Sequence, residues 1–282
     1  MRYTTVNVSG QHAPALEHAG HLYDLRPFID AEPTQLLKRG HALWDDLHRA
    51  WTAIDKEGRA PLGADVQLAP PVPAPGKIVC IGLNYRKHAV ESGMAIPEEP
   101  IVFSKYGNTI AAPNEPVRIG GLEKVDYEAE LAFVMGEKAA NVREGDALST
   151  VLGYTNANDV SERALQMRSG QWLIGKTLDG FLPMGPSLVS AQEVGDPSNL
   201  RVRGWLNDEL RQDSNTSDLI FSVQEIIAYV SRFMTLEPGD VVCTGTPEGV
   251  VLGMDPQTWV RPGDTYTVEI GDLGRLTTPF TD

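Results

Sequence analysis

The sequence predicts an α+β, β-rich fold: a sandwich or barrel-like roll of many short strands behind a small leading α/β unit. Three observations predict it. From Lys77 onward the chain is a succession of short apolar, β-branched runs separated by turn residues. Before that point apolar residues recur at helical spacing. Between the two lies A-P-P-V-P-A-P-G, Ala69 to Gly76, which can continue neither a helix nor a central strand and is stiff when extended. The expected organisation is a small N-terminal domain, 1–68, and a large domain, 69–282, with 69–76 as the linker.

The leading unit is anchored by one predicted amphipathic helix over 33–57. Leu36, Leu37, Leu43, Trp44, Leu47, Ala50, Trp51 and Ile54 recur on one side and Lys38, Arg39, Asp45, Asp46 and Arg49 fill the other. In the large domain the predicted strands are K-I-V-C-I-G, P-I-V-F-S-K, V-D-Y-E-A-E-L-A-F-V, S-T-V-L-G-Y-T-N-A, L-R-V-R-G-W-L, D-V-V-C-T-G and T-Y-T-V-E-I. Pro238-Gly239-Asp240 and Pro262-Gly263-Asp264 read as type II turns, with proline presetting one dihedral and glycine supplying the positive one. A helix is expected at 222–234, opened by the capping box Ser222-Val223-Gln224-Glu225, and a shorter one after Asp159 with Ser161 as its N-cap.

A chain of 282 residues with 41% apolar content can bury a large core. The net charge of -14 argues against nucleic acid and anionic membrane as partners, because both require a basic surface. No run approaches the roughly 20 apolar residues of a membrane span. The start M-R-Y-T-T-V-N-V lacks a signal-peptide core, so the cytoplasm is the expected address. Cys80 and Cys243 each sit inside an apolar run and read as buried thiols.

The candidate chemistry begins at Lys124–Val134. Read as one strand, this run puts Asp126, Glu128 and Glu130 on one face, with the two glutamates about 7 Å apart and in need of a neutraliser. Taken alone, a half-exposed strand with a wet acidic face accounts for the pattern equally well. Asp159, at the end of a later apolar run, completes an all-carboxylate set. The absence of nearby Cys or His selects a hard ion, Mg²⁺, Mn²⁺ or Ca²⁺, over zinc. Five of the six histidines precede the linker; His88 alone belongs to the large domain, with Glu91 three residues on. On a helical turn the pair faces one side, so the carboxylate can orient the imidazole as a general base; a plain surface pair has the same spacing.

In order, N-Y-R-K-H-A-V-E, D-Y-E-A-E-L, N-D-V-S-E-R, G-K-T-L-D-G-F-L-P-M-G-P and T-G-T-P-E-G-V resemble the fumarylacetoacetate hydrolase family from about Lys77 to the C-terminus. The resemblance implies that family's mixed β-sandwich roll and a homodimer. It implies Mg²⁺ or Mn²⁺ on Glu128, Glu130 and Asp159, a water-activating dyad of His88 and Glu91 on a short lid, and Lys176 as the active-site lysine. Thr246 matches the position that contacts the substrate carboxylate, and Arg86 and Gln171 fall near positions that touch substrate. The activity implied is hydrolysis of the carbon-carbon bond of a 1,3-diketo acid such as an acylpyruvate. The alternatives are a decarboxylase of oxaloacetate or related keto acids, or an isomerase, hydratase or lyase. A remoter reading is a metal-binding scaffold without activity. The acyl side of the pocket is expected to be shaped by Met94 to Pro97.

Overall fold

The computed structural model describes residues 1–63 and 65–282. Two sheets carry the fold. Among the described residues, an eleven-stranded mixed sheet has as its spine His21–Asp24, Gln11–His18, Arg2–Val8, Leu182–Ser190, Val151–Asn158, Ala129–Met135, Val241–Cys243, Ile78–Gly82 and Ile101–Lys105. A five-stranded sheet runs Glu209–Asn215, Arg201–Leu206, Thr265–Ile270, Arg275–Thr281 and Val117–Arg118. This is the α+β, β-rich roll that the strand pattern predicted.

The strand Ala129–Met135 explains why its sequence reads as apolar throughout. Leu131, Phe133 and Met135 face the core between the two sheets, where Val202, Tyr266 and Val268 meet them. Ala132 and Val134 face the opposite core, formed with Leu43, Leu47 and Ile54 of the helix Ala42–Glu57. Both faces are therefore dry, as in a central strand. By the same alternation Glu130 shares a face with Ala132 and Val134, at the end of the strand beyond their apolar cluster.

The leading residues are stitched into this architecture. Arg2–Val8 pairs antiparallel with Leu182–Ser190, with Arg2 opposite Val189, and Trp44 Nε1 donates to the Leu152 carbonyl at 3.0 Å. The helix expected over 33–57 is two helices, Pro33–Leu37 and Ala42–Glu57. Gly40 separates them at φ +60°, where a Cβ would stand 1.9 Å from the Gly136 carbonyl oxygen, so the break is fixed by close backbone approach that helical spacing does not report.

Other expectations need similar correction. The run Lys124–Val134 is not one strand: Val125–Asp126 pairs with Ser161–Glu162, and a new strand starts at Ala129. The short helix after Asp159 is Arg163–Gln166, capped by Glu162, whose side chain accepts from Leu165 N, while Ser161 bonds the Asp159 carbonyl instead. The Ser222 capping box is present and opens the helix Val223–Val230. Both Pro-Gly-Asp turns carry a glycine of positive φ. Cys80 and Cys243 are buried free thiols facing each other across parallel strands. No helix among the described residues is long and apolar enough to cross a membrane.

Candidate active site

The carboxylates converge. Glu128, Glu130 and Asp159 are all buried, and each offers an oxygen such that the three atoms lie within 4.8 Å of one another. Backbone pairing brings this about: Ala129 is opposite Asn158, and the Asp159 N–H donates to the Glu128 carbonyl at 3.0 Å. Asp126 is drawn away, which corrects its place on a shared acidic face. It accepts the N–H groups of Tyr127, Val251 and Leu252 and pairs with Arg163.

Like charges this close need cations, and the protein supplies three. Lys176 Nζ lies 2.7 Å from Glu128 Oε2 and 2.8 Å from Asp159 Oδ2. Lys105 Nζ holds Asp159 Oδ1 at 2.5 Å and the Val160 carbonyl at 3.0 Å. Arg163 Nη2 contacts Asp126 Oδ2 at 2.8 Å and Glu128 Oε1 at 2.6 Å, ion-pair contacts off the ideal hydrogen-bond axis. Burial would raise the Glu128 carboxyl, but Lys176 and Arg163 outweigh it and hold it down at about 2. Burial would likewise lower the Lys176 ammonium; Asp159 and Glu128 keep it above its ordinary value, and so charged.

Glu130 is the exception. Its Oε2 accepts from Gly245 N at 2.9 Å, and its carboxyl is pushed well up by burial and then by the Asp159 charge. Three buried oxygen donors, one short of a counter-charge, fit a hard divalent cation. The residues that would hold it are Glu128, Glu130 and Asp159.

A cavity of about 50 Å³ opens onto this cluster, lined by Glu128, Glu130, Lys176, His88 and Thr246 among others. His88 Nδ1 stands 3.4 Å from Glu91 Oε2, a long contact that leaves Nε2 as the free ring nitrogen. Glu91 is fixed from behind by Gly249 N, at 3.0 and 3.2 Å from its two oxygens. Gly249 has φ +95°, and a Cβ there would lie 2.0 Å from the Arg211 carbonyl oxygen. Gly249→Ala is therefore expected to shift the loop, free Glu91 and lower stability by about 1–3 kcal/mol, read from denaturant midpoints. An unchanged midpoint would refute it.

Not every expected residue arrives. Arg86 is exposed and donates to the carbonyls of Asp218 and Leu219, so it does not line the cavity. Gln171 is exposed and lines a separate surface groove. Arg163 and Gln166 stand there instead, joined by an Nη1–Oε1 hydrogen bond of 2.9 Å. Arg163 had a signal, four residues after Asp159 on a turn leading into a helix. Lys105 had none, since a lysine closing an apolar run reads as an edge-strand guard. Met94 lines the cavity mouth as expected; Pro97 does not.

The fold and site define a strand-rich roll enclosing a cation-ready carboxylate cluster, a buried lysine and a His-Glu pair. The chain belongs to the fumarylacetoacetate hydrolase family: the profile for the fumarylacetoacetate (FAA) hydrolase C-terminal region matches residues 77–281. It is 40% identical over 270 residues to the mitochondrial oxaloacetate tautomerase fahd2 of Xenopus laevis, covering 94% of this chain and 84% of that protein. It is 40% identical to the mitochondrial oxaloacetate tautomerase FAHD2A of Homo sapiens over 253 residues, 88% and 79% of the two chains. Among solved structures, the fumarylacetoacetate hydrolase from Exiguobacterium antarcticum superposes with a TM-score of 0.88 at 33% identity, covering 100% of this chain and 99% of that one. The maleylpyruvate hydrolase of Sphingobium sp. SYK-6, in complex with manganese(II) ion and pyruvate, superposes with a TM-score of 0.82 at 28% identity, covering 100% and 99%.

Proposed function

We propose that this protein is a divalent-metal-dependent enzyme that interconverts the keto and enol forms of a short 2-oxo diacid, with oxaloacetate as the substrate. The observation that carries this reading is 40% identity, across 94% of the chain, to a protein named as an oxaloacetate tautomerase. The cavity supports it, because Lys176, Arg163 and Thr246 line it and suit the oxygens of a small anionic keto acid. Carbon-carbon hydrolysis, the first expectation from the sequence, becomes the second reading; the His88–Glu91 pair and the likeness to maleylpyruvate hydrolase favour it.

Tautomerisation moves one proton from C3 of the keto acid and places one on the C2 oxygen, consuming no water and no redox equivalent. His88 Nε2 is the group suited to take the C3 proton, with Glu91 stabilising the imidazolium that forms. Lys176 donates two of its three N–H groups to Glu128 and Asp159, leaving one for the C2 oxygen. Thr246 lines the same cavity, and its hydroxyl is the group assigned here to the C1 carboxylate. A divalent ion, Mg²⁺ or Mn²⁺, on Glu128, Glu130 and Asp159 would supply the positive charge that makes an enolate accessible near neutral pH. Cytoplasmic residence and a homodimer belong to the same proposal, although the relatives above are named as mitochondrial.

The test compares kcat/KM for oxaloacetate enol-keto exchange with that for hydrolysis of maleylpyruvate, fumarylpyruvate and acetylpyruvate in Mg²⁺ or Mn²⁺. Tautomerisation is expected to dominate, and His88→Asn to slow it roughly a hundredfold. Faster acylpyruvate hydrolysis would make the second reading the correct one.

A further inference from the structure

Gln212 lies outside the cavity, fully buried on the strand Glu209–Asn215 of the five-stranded sheet, yet it touches both halves of the site. Its Oε1 accepts from Ala129 N at 2.9 Å, between Glu128 and Glu130, and from the Tyr266 hydroxyl at 2.5 Å. Its Nε2, with two N–H groups, lies 2.9 Å from the Pro247 carbonyl, 2.9 Å from Thr246 Oγ1 and 3.2 Å from the Glu248 carbonyl, the longest contact sharing a proton with one of the others. These partners leave the amide no freedom to flip, because a backbone N–H must meet oxygen and backbone carbonyls must meet nitrogen. The neighbouring strand makes room for the arrangement: Gly204 is paired with Gln212, and a Cβ on it would stand 1.9 Å from the Tyr266 hydroxyl.

The orientation has a chemical result at Thr246. With Nε2 donating to Oγ1, the threonine oxygen is an acceptor toward Gln212, and its own proton points elsewhere. We infer that Gln212 is a positioning residue for substrate binding: it sets the polarity of Thr246 so that the hydroxyl donates into the cavity, toward the carboxylate of a 2-oxo acid. This rests on the reading of Thr246 as the carboxylate contact. A hydroxyl free to rotate would spend part of its time facing the wrong way, and one forced to donate to a protein group would be lost to the substrate altogether.

The decisive variant is Gln212→Glu. It keeps an acceptor for Ala129 N and Tyr266 and turns a donor toward Thr246 into an acceptor, but the new oxygen also faces the Pro247 and Glu248 carbonyls, so its denaturant midpoint is read beside its binding and Gln212→Met is measured in parallel. The Thr246 proton is then claimed by the protein. The readout is calorimetric binding of oxalate, a pyruvate-enolate mimic, to Mg²⁺-loaded protein at pH 8, alongside the Kd for Mg²⁺ alone. Thr246→Val is expected to weaken oxalate about tenfold or more, the scale of a hydrogen bond to a charged group. Gln212→Glu should match it with Mg²⁺ affinity within about twofold of the parent. The double variant should be no weaker than either single one, since both remove the same hydrogen bond. Gln212→Met, which frees the hydroxyl without reversing it, should weaken oxalate by a smaller factor and serves if Gln212→Glu does not fold.

Effects that multiply in the double variant, or Gln212 variants that bind oxalate as the parent does while Thr246→Val does not, would overturn the role of Gln212 and leave Thr246 standing. Full oxalate affinity in Thr246→Val, or no oxalate binding by the parent, would remove the carboxylate contact and the role of Gln212 with it. Equal losses of Mg²⁺ and oxalate affinity in Gln212→Glu would mark a general disturbance of the Glu128–Glu130 backbone and also overturn the inference.

Discussion

Glu130→Gln is expected to stabilise the metal-free protein and to disable the enzyme. In the absence of an ion Glu130 is a buried carboxyl whose one hydrogen-bond partner is Gly245 N, and its neighbour Asp159 repels it. A glutamine keeps that acceptor and turns an amide toward the remaining carboxylates, so the melting temperature in EDTA should rise by about 2 °C or more. In Mg²⁺ the order should reverse. Ligand binding stabilises the native state in proportion to the logarithm of metal concentration over Kd, and the variant has lost one of three charged donors. Turnover of oxaloacetate should fall roughly a thousandfold, beyond the 10–100-fold typical of losing a group that only supports a ligand. Calorimetric scans of both proteins, with EDTA and with Mg²⁺, read the crossing directly. A variant that melts lower in EDTA yet keeps its activity would refute the assignment of Glu130 as a cation donor.

Arg163→Met should cost about 3–5 kcal/mol of folding stability, the range for breaking a buried ion pair. The guanidinium touches Asp126, Glu128 and Gln166 at once, and Asp126 is fully buried with only backbone N–H groups as its other partners. Removing the cation leaves the buried Asp126 carboxyl with its backbone donors alone. Against a typical total of about 5–15 kcal/mol, this loss is large enough to threaten folding near body temperature. The companion variant Arg163→Met with Asp126→Asn removes both charges and should recover part of the loss. Urea midpoints for the single and double variants test this; a single-variant loss under about 1 kcal/mol would show the pair to be solvent-compensated.

How much of this was legible in the sequence differs by physical cause. The two-sheet class was legible because alternation and turn residues are local signals, and the Ser222 capping box marked a helix start correctly. The candidate carboxylate trio is readable from residue type, but its geometry depends on the pairing of Ala129 with Asn158, which no local pattern encodes. Strand alternation carried through the break at Tyr127 puts Asp126 on the face of Glu128 and Glu130; backbone donors from Val251 and Leu252, some 125 residues away, claim it instead. Arg86 and Gln171 failed for a related reason. Nearness in sequence to site residues says nothing about direction: Arg86 leaves the helix of His88 toward the Asp218 and Leu219 carbonyls, and Gln171, just before the helix Leu173–Lys176, lines a separate groove. Gln212 was invisible, since a glutamine in an alternating strand reads as an ordinary solvent-facing residue.

The segment Thr244–Gly249 grips Leu131, Glu130, Gln212 and Glu91 within six residues. Met94 and Met167, which also line the cavity, are half-exposed. The pocket thus has one wall tied down by side-chain and backbone bonds and another formed in part by exposed, unbranched methionines, whose thioether chains repack easily. Substitutions at Met94 or Met167 are therefore expected to alter which acid is admitted while the contacts of Thr244–Gly249 stay in place, read as a changed ranking of kcat/KM across keto acids with an unchanged denaturant midpoint.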